Sequence, residues 1–327
     1  MLSISPILRR LLQRDAAAPD ARASLDPEEA HALWSAVLDG ALPELELGAL
    51  LAAFAIGGES PAELLGLHRA LAARQPRFAP ALARPVISIP VYGLLRGEAA
   101  FSVLLAMFLR RFDVPVVLHG PLDAPCGPSA PALLREMGVL PCATLPEADR
   151  ELHATGVAFV PVQLLSPALG DLLALRTRLG TTNPAHLAAH ALDPGAMGAV
   201  RLAMCVAGTP SERVAALLPA AGAQSLLLAW PASAPGCNLA WRPRITRISE
   251  DGETLVFEAE HGDRPPAFDL PEAAQLVPWM RSVLERRAPA PPPLVNIAAA
   301  CVHAAGAAPD LMQAKAVVAL QSGRLAA

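Results

Sequence analysis

Lysine is almost missing from this chain: Lys315 stands alone against 25 arginines among the 26 basic residues. With 34 prolines in 327 residues the skew fits biased codon usage, so arginine number by itself says little about function. Cysteine is sparse and unpaired. Cys126, Cys142, Cys205, Cys237 and Cys301 are odd in number and never form a C-x-x-C pair, which excludes a disulfide framework and a zinc site and suits buried thiols in a reducing compartment. Long apolar runs are absent too. Hydrophobic residues make up 53% of the chain, yet stretches such as Ala99 to Leu109 and Leu226 to Trp230 fall short of the roughly 20 residues a bilayer span needs. Met1 to Arg14 mixes apolar and basic groups with no apolar segment leading to a small-residue cleavage site, so a cytoplasmic protein without membrane partners is expected. A net charge of −4 offers no global attraction for nucleic acid or anionic lipid. Any polyanion site must be local.

What is present begins with helices. Ile4, Leu8, Leu11 and Leu12 recur at helical spacing before the polar run Asp15 to Arg22. Ser24-Leu25-Asp26-Pro27-Glu28-Glu29 supplies a cap, Pro and first-turn acids for a second helix ending at Asp39-Gly40. Glu44 to Ile56, closed by Gly57-Gly58, and a capping-box start at Ser60-Pro61-Ala62-Glu63 running to about Arg74 add two more. The pattern then changes. Pro85 to Val91, Val114 to Leu118 and Val157 to Val162 are apolar strand-like runs, separated by helical segments Ala99 to Arg111 and Ser129 to Met137. Strands apolar throughout and alternating with helices imply an α/β fold with a central, mostly parallel sheet flanked by helices. The expected division is a small helical domain, residues 1–80, joined by helices near 168–192, and an α/β domain, residues 81–327. Arg281 to Pro293 reads as a connector, followed by helices Val295 to Ala305 and Asp310 to Ser322. Ligand sites in such sheets lie beyond the strand carboxyl ends, here Val91 to Gly97, His119 to Ser129, Val162 to Pro167 and the loop after Leu228.

Several segments, in order, resemble the anthranilate phosphoribosyltransferase family, which has the glycosyltransferase family 3 fold. Leu38-Asp39-Gly40 and Gly58-Glu59-Ser60-Pro61-Ala62-Glu63-Leu64 are similar to that family's helical domain. Val117-Leu118-His119-Gly120, with Leu133 to Val139 after it, sits where the family has K-H-G-N-R and a helix ending in L-G-V. Arg176-Thr177-Arg178-Leu179-Gly180 and Asn183-Pro184 occupy the place of R-R-E-L-G and the helix after it, and Asn296 to Ala300 and Ser322-Gly323 also fit.

The departures from the pattern fall where the family meets phosphate. Its G-T-G-G-D-G loop, whose bare amides approach a diphosphate, is replaced by Val91-Tyr92-Gly93-Leu94-Leu95-Arg96-Gly97. Leu118 stands for the lysine of K-H-G-N-R and Pro121 for its asparagine, and the phosphate-binding run becomes Asp123-Ala124-Pro125-Cys126-Gly127-Pro128. The adjacent Asp-Glu pair that suits magnesium is missing, because no acid occurs between Glu212 and Glu250. These losses resemble a divergent, YbiB-like branch that keeps the fold and is catalytically degenerate. The resemblance implies a homodimer through the helical domain and sequence-nonspecific nucleic-acid binding along a basic groove, with no catalytic residue and no cofactor. The alternative is a glycosyl- or phosphoribosyltransferase for an unidentified acceptor, which would need magnesium and phosphoribosyl diphosphate.

Candidate anion-binding residues are Arg96 in the altered loop, His119 at the strand end, Arg176 and Arg178 on one helix, Asn183, and Arg242 and Arg244. Arg176 and Arg178 point about 200° apart on a helix. Trp241-Arg242-Pro243-Arg244 reads as an extended, Arg-decorated edge strand with Trp241 available for base stacking. His119 is as well explained by a bond to backbone. His186 and His190, four apart with no Glu after the first, read as a solvated helix face. The dimer is expected through the helices Ile4 to Leu12 and Glu44 to Ile56, since the four helices carry more apolar residues than one small core can cover, with Ile7, Leu8, Trp34, Leu47, Leu50 and Leu51 as candidates for the surplus.

Overall fold

A computed structural model describes residues 4–12, 24–124, 127–194, 198–222, 224–233, 236–237, 239–260 and 273–322. The expected polar run Asp15 to Arg22, Cys126 and Gly323 lie outside them. Four helices come first: α1 (Ile4–Leu12), α2 (Pro27–Leu38), α3 (Glu44–Gly57) and α4 (Pro61–Ala72). α2 and α4 each start on a full capping box, Asp26 with Glu29 and Ser60 with Glu63, and each has Pro in the first turn. The second box does more than cap. Glu63 is buried, and its Oε1 accepts the Leu25 amide, which fixes the entry to α2 against the start of α4.

The remaining elements alternate: β1 (Ile87–Pro90), α5 (Glu98–Leu109), β2 (Val116–Gly120), α6 (Ala130–Glu136), α7 (Leu145–Thr155), β3 (Val157–Pro161), α8 (Val162–Leu165), α9 (Pro167–Leu179), α10 (Pro184–Ala189), β4 (Val200–Val206), α11 (Arg213–Leu217), β5 (Ser225–Trp230), β6 (Arg244–Ser249), β7 (Gly252–Phe257), α12 (Ala273–Leu284), α13 (Pro292–Ala304) and α14 (Leu311–Ser322). The seven strands form one sheet in the order β3-β2-β1-β4-β5-β6-β7. β1 to β5 pair in parallel, with Ile87 opposite both Val116 and Val200, while β6 and β7 add antiparallel. Every residue of β1 to β4 is buried, as expected for strands covered on both faces. On one face Ile87, Ile89, Leu118, Phe159 and Met204 pack with α5, α12, α13 and α14. On the other, Val117, Ala158 and Val160 share a core with α7, and α1 to α4 share one with α9 and α10.

Several expectations need correction. The residues from Arg281 are not a connector at first, because α12 runs to Leu284, and α13 starts at Pro292 since its first turn has no use for the missing N–H. The Trp241 to Arg244 segment is not an edge strand. β6 begins at Arg244 and is paired on both sides, and β7 is the edge. His186 and His190 are 2% and 0% exposed, so the solvated-face reading fails: α10 is packed on all sides by α4, α9 and α11. Trp34, Leu50 and Leu51 are also buried within the chain's own helical core.

The chain winds from β1 outward to β3 on one side and returns to start β4 on the other. β1 is therefore a topological switch point, and the crevice beyond its carboxyl end is where this class of sheet places its site.

Candidate functional site

The loop that leaves β1 is built around one carboxylate. Glu98 opens α5 after Gly97, whose φ of 77° is a left-handed conformation that suits glycine. Its side chain turns back under the loop and is 1% exposed. Oε1 accepts the amides of Tyr92 at 2.6 Å and Gly93 at 3.0 Å, and Oε2 accepts that of Leu95 at 2.9 Å. Burial raises the Glu98 carboxyl to about 7, against the opposing pull of the amides of Leu95, Gly93, Tyr92 and Leu94. Leu95 and Leu94 pack against the cores on either side of the sheet, which explains leucine at these positions.

Behind the carboxylate lies a buried cluster of rings. Tyr92 Oη and His119 Nδ1 are 2.8 Å apart, a hydrogen bond in either tautomer, and the Tyr92 ring meets His119 and His190 edge-on. His190 Nε2 is 3.8 Å from Glu98 Oε1, and among the described residues neither nitrogen of His190 nor Nε2 of His119 has a hydrogen-bond partner. Burial pushes both histidines down to about 3, so both are neutral at physiological pH. His186 is held near 4 by burial and then by the charge of Arg176. Burial raises the Tyr92 hydroxyl far above its usual range.

Three contacts hold the loop down from outside. Arg176 Nη1 donates to the Gly93 carbonyl at 3.0 Å. The Cys237 amide donates to the Arg96 carbonyl at 2.9 Å, and Gly236 lies so close that a Cβ there would stand 2.3 Å from that same oxygen. Gly120, at the end of β2, is equally constrained: a Cβ would meet the Val91 carbonyl at 2.1 Å.

Above this floor the loops after β1 and β2, with Arg176 from α9 and Leu276 from α12, enclose a cavity of about 690 Å³. Its lining is largely apolar, with Arg96, Arg176, Asp123 and Ser129 as polar groups besides Glu98. Of the residues singled out from sequence, only Arg96 and Arg176 line it. His119 lies fully buried, bonded to Tyr92. Arg178 is exposed, 3.9 Å from Glu44. Asn183 caps α10, accepting from the Ala185 amide and donating to the Leu172 carbonyl, and at 3% exposure it is out of a ligand's reach. Arg242 bonds the Glu258 carbonyl and lies 3.5 Å from Glu260, and Arg244 lies 3.4 Å from Glu258. Trp241 is 5% exposed, so its ring has no free face for a base.

Magnesium does not fit. Among the described residues no three His, Cys, Asp or Glu side chains are grouped to hold a metal ion, and the acid-free stretch from residue 213 to 249 removes the ligands a hard cation requires. The lysine position of the family motif, Leu118, is fully buried beneath α5. Glu98 and Tyr92 were not among the residues singled out from sequence. An acid in the first turn of a helix reads as a partner of the helix dipole, and only the backbone path shows it turned inward.

Comparison with known proteins places the geometry in context. Residues 5–74 match the helical bundle domain of a glycosyl transferase family. The uncharacterized protein YbiB of Escherichia coli is 32% identical over 87% of this chain and 90% of its own length. An anthranilate phosphoribosyltransferase of Methylocella silvestris is 28% identical over 93% of this chain and 89% of its own. Among solved structures, the anthranilate phosphoribosyltransferase TrpD of Thermus thermophilus superposes with a TM-score of 0.72 at 22% identity, covering 92% of each chain.

Proposed function

Since the chain belongs to the glycosyltransferase family that includes YbiB and the anthranilate phosphoribosyltransferases, we propose that it is a catalytically degenerate member binding nucleic acid or another polyanion without sequence specificity. The observation that carries this reading is the composition of the cavity. Where a diphosphate and its metal would sit, the lining is leucine, proline and Asp123, and the cations are confined to Arg96 and Arg176. Arg178, two residues along α9, points away from Arg176 and lies 3.9 Å from Glu44, which leaves it a lesser role. The ion pairs of Arg242 and Arg244 leave them a lesser role. No base-reading motif accompanies these arginines, so the contacts are to phosphates and weaken with salt.

The reading includes a homodimer through α1 and α3, supported by Leu12, Leu45 and Ile56, which are 60%, 82% and 79% exposed on the helical domain. It requires no cofactor and places the protein in the cytoplasm, in keeping with the free, buried thiols of Cys142, Cys205, Cys237 and Cys301. Among the described residues no helix is long and apolar enough to cross a membrane.

A fluorescence titration with labelled oligonucleotide at low and moderate salt tests the reading. Arg96→Ala with Arg176→Ala should flatten the slope of log K against log salt by about two at most. Absence of binding at about 10 μM protein in roughly 50 mM salt would remove the polyanion reading. One observation favours a second reading: a cavity of about 690 Å³ is the size of a small-molecule site, as a transferase for an unidentified acceptor would need.

A further inference from the structure

We propose that the Glu98 carboxylate fills, from inside the protein, the anion cradle formed by the amides of the loop after β1, so that free phosphates and diphosphates are excluded there. A polyanion then meets only the arginine side chains at the rim.

Backbone amides that converge on one point form a nest that binds negative charge. Here the amides of Tyr92, Gly93 and Leu95 converge within 3.0 Å of the two oxygens of one side chain. Buried amides need acceptors, and in this loop the acceptor is covalently part of the chain. His190 gives an independent indication that the space under the loop is polar. It is 0% exposed, neither ring nitrogen has a hydrogen-bond partner among the described residues, and one of them lies 3.8 Å from Glu98 Oε1.

The occupant is also locked in. Arg176 holds the Gly93 carbonyl and the Cys237 amide holds that of Arg96, so the loop is fastened over the carboxylate on both sides. A diphosphate would have to displace Glu98 into a largely apolar cavity, and no metal-binding acids are available to offset the charge. Of the two rim arginines, Arg176 belongs to this lock, whereas the Arg96 side chain is exposed and remains available to an anion.

The inference rests on the proposed polyanion reading only in what it assigns to the rim. The oligonucleotide titration tests that part, and pyrophosphate tests the cradle, so the two can fail separately. The experiment follows the backbone amide resonances of Tyr92, Gly93 and Leu95 during addition of pyrophosphate, without metal and at about pH 8 where the carboxyl is charged, in the wild type and in Glu98→Ala. In the wild type these resonances should not move. In Glu98→Ala they should shift saturably, with affinity at least about tenfold above any wild-type response. Saturable shifts in the wild type would overturn the proposal, and so would a folded Glu98→Ala chain whose loop amides do not respond. Should Glu98→Ala fail to fold by circular dichroism, hydrogen exchange on the wild type decides. Exchange at Tyr92, Gly93 and Leu95 at least about 100-fold slower than in an unprotected loop supports an internal acceptor, and exchange at the free-peptide rate overturns it.

Discussion

Replacing Glu98 by glutamine gives a pH signature that no other group around the loop can produce. Burial raises this carboxyl from 4.5 to about 7, so between those values the folded chain binds a proton that the unfolded chain has released. Stability must therefore fall as pH rises through that window, and level off above it. The shift corresponds to at most about 3 kcal/mol. His119 and His190, both lowered to about 3, act in the opposite sense: the stability they contribute is present above their ordinary value and is lost as pH falls. The wild-type profile mixes these terms, and the difference between wild type and Glu98→Gln isolates the carboxyl. Tyr92 and Cys237, also near Glu98, are both pushed upward by burial and do not titrate in this range. The glutamine leaves the Leu95 amide facing an NH₂ group, a constant cost of about 1–3 kcal/mol. Thermal melts of both proteins should then show the wild-type advantage shrinking by roughly 5 °C between about pH 4.5 and pH 8, at about 2 °C per kcal/mol for a chain of this length. A difference that stays flat with pH, or grows, would mean that the loop amides outweigh burial and hold the carboxyl low.

Other outcomes follow from the same geometry. Gly120→Ala should destabilise the chain by about 1–3 kcal/mol, measured by denaturant melts, because its methyl group would meet backbone at Val91, which cannot swing aside. Arg242→Ala with Arg244→Ala should change the salt slope of oligonucleotide binding by less than Arg96→Ala with Arg176→Ala, since Glu258 and Glu260 already neutralise the first pair; an equal effect would return β6 to the binding surface. In a Cys126→Ala background the native chain should not react with a thiol reagent until unfolded. Burial raises Cys142 to about 11 and Cys205 and Cys301 to about 12, and it also raises Cys237 well above its ordinary value.

The helices with caps were legible in the sequence because capping is local: Asp26 with Glu29 and Ser60 with Glu63 announce α2 and α4 within four residues. β1 to β3 were legible because each lies in a mainly apolar run, a signal that survives without any partner, whereas β4, which carries the buried Arg201, was not read as a strand. Legibility ended where long-range packing decides. His186 and His190 have helical spacing and polar rings, and only the packing of α10 between α4, α9 and α11 buries them. Trp241 and Arg242 lie in an extended, basic stretch, but the β6–β7 hairpin brings Glu258 and Glu260 back onto it from 16 and 18 residues away. Glu98 shows the limit most clearly. Its sequence position implies a helix start, whereas its partners are set by a loop that folds back over it.

Product formation from anthranilate and phosphoribosyl diphosphate, with the full chain and added magnesium, tests the central claim most directly. The account predicts no product above the uncatalysed reaction, because the loop amides are engaged by Glu98 and no group of acids holds the metal among the described residues. Loss of even one preorganised electrostatic contact commonly costs about 100-fold or more. Turnover at the rate of a true family enzyme, dependent on magnesium, would contradict it.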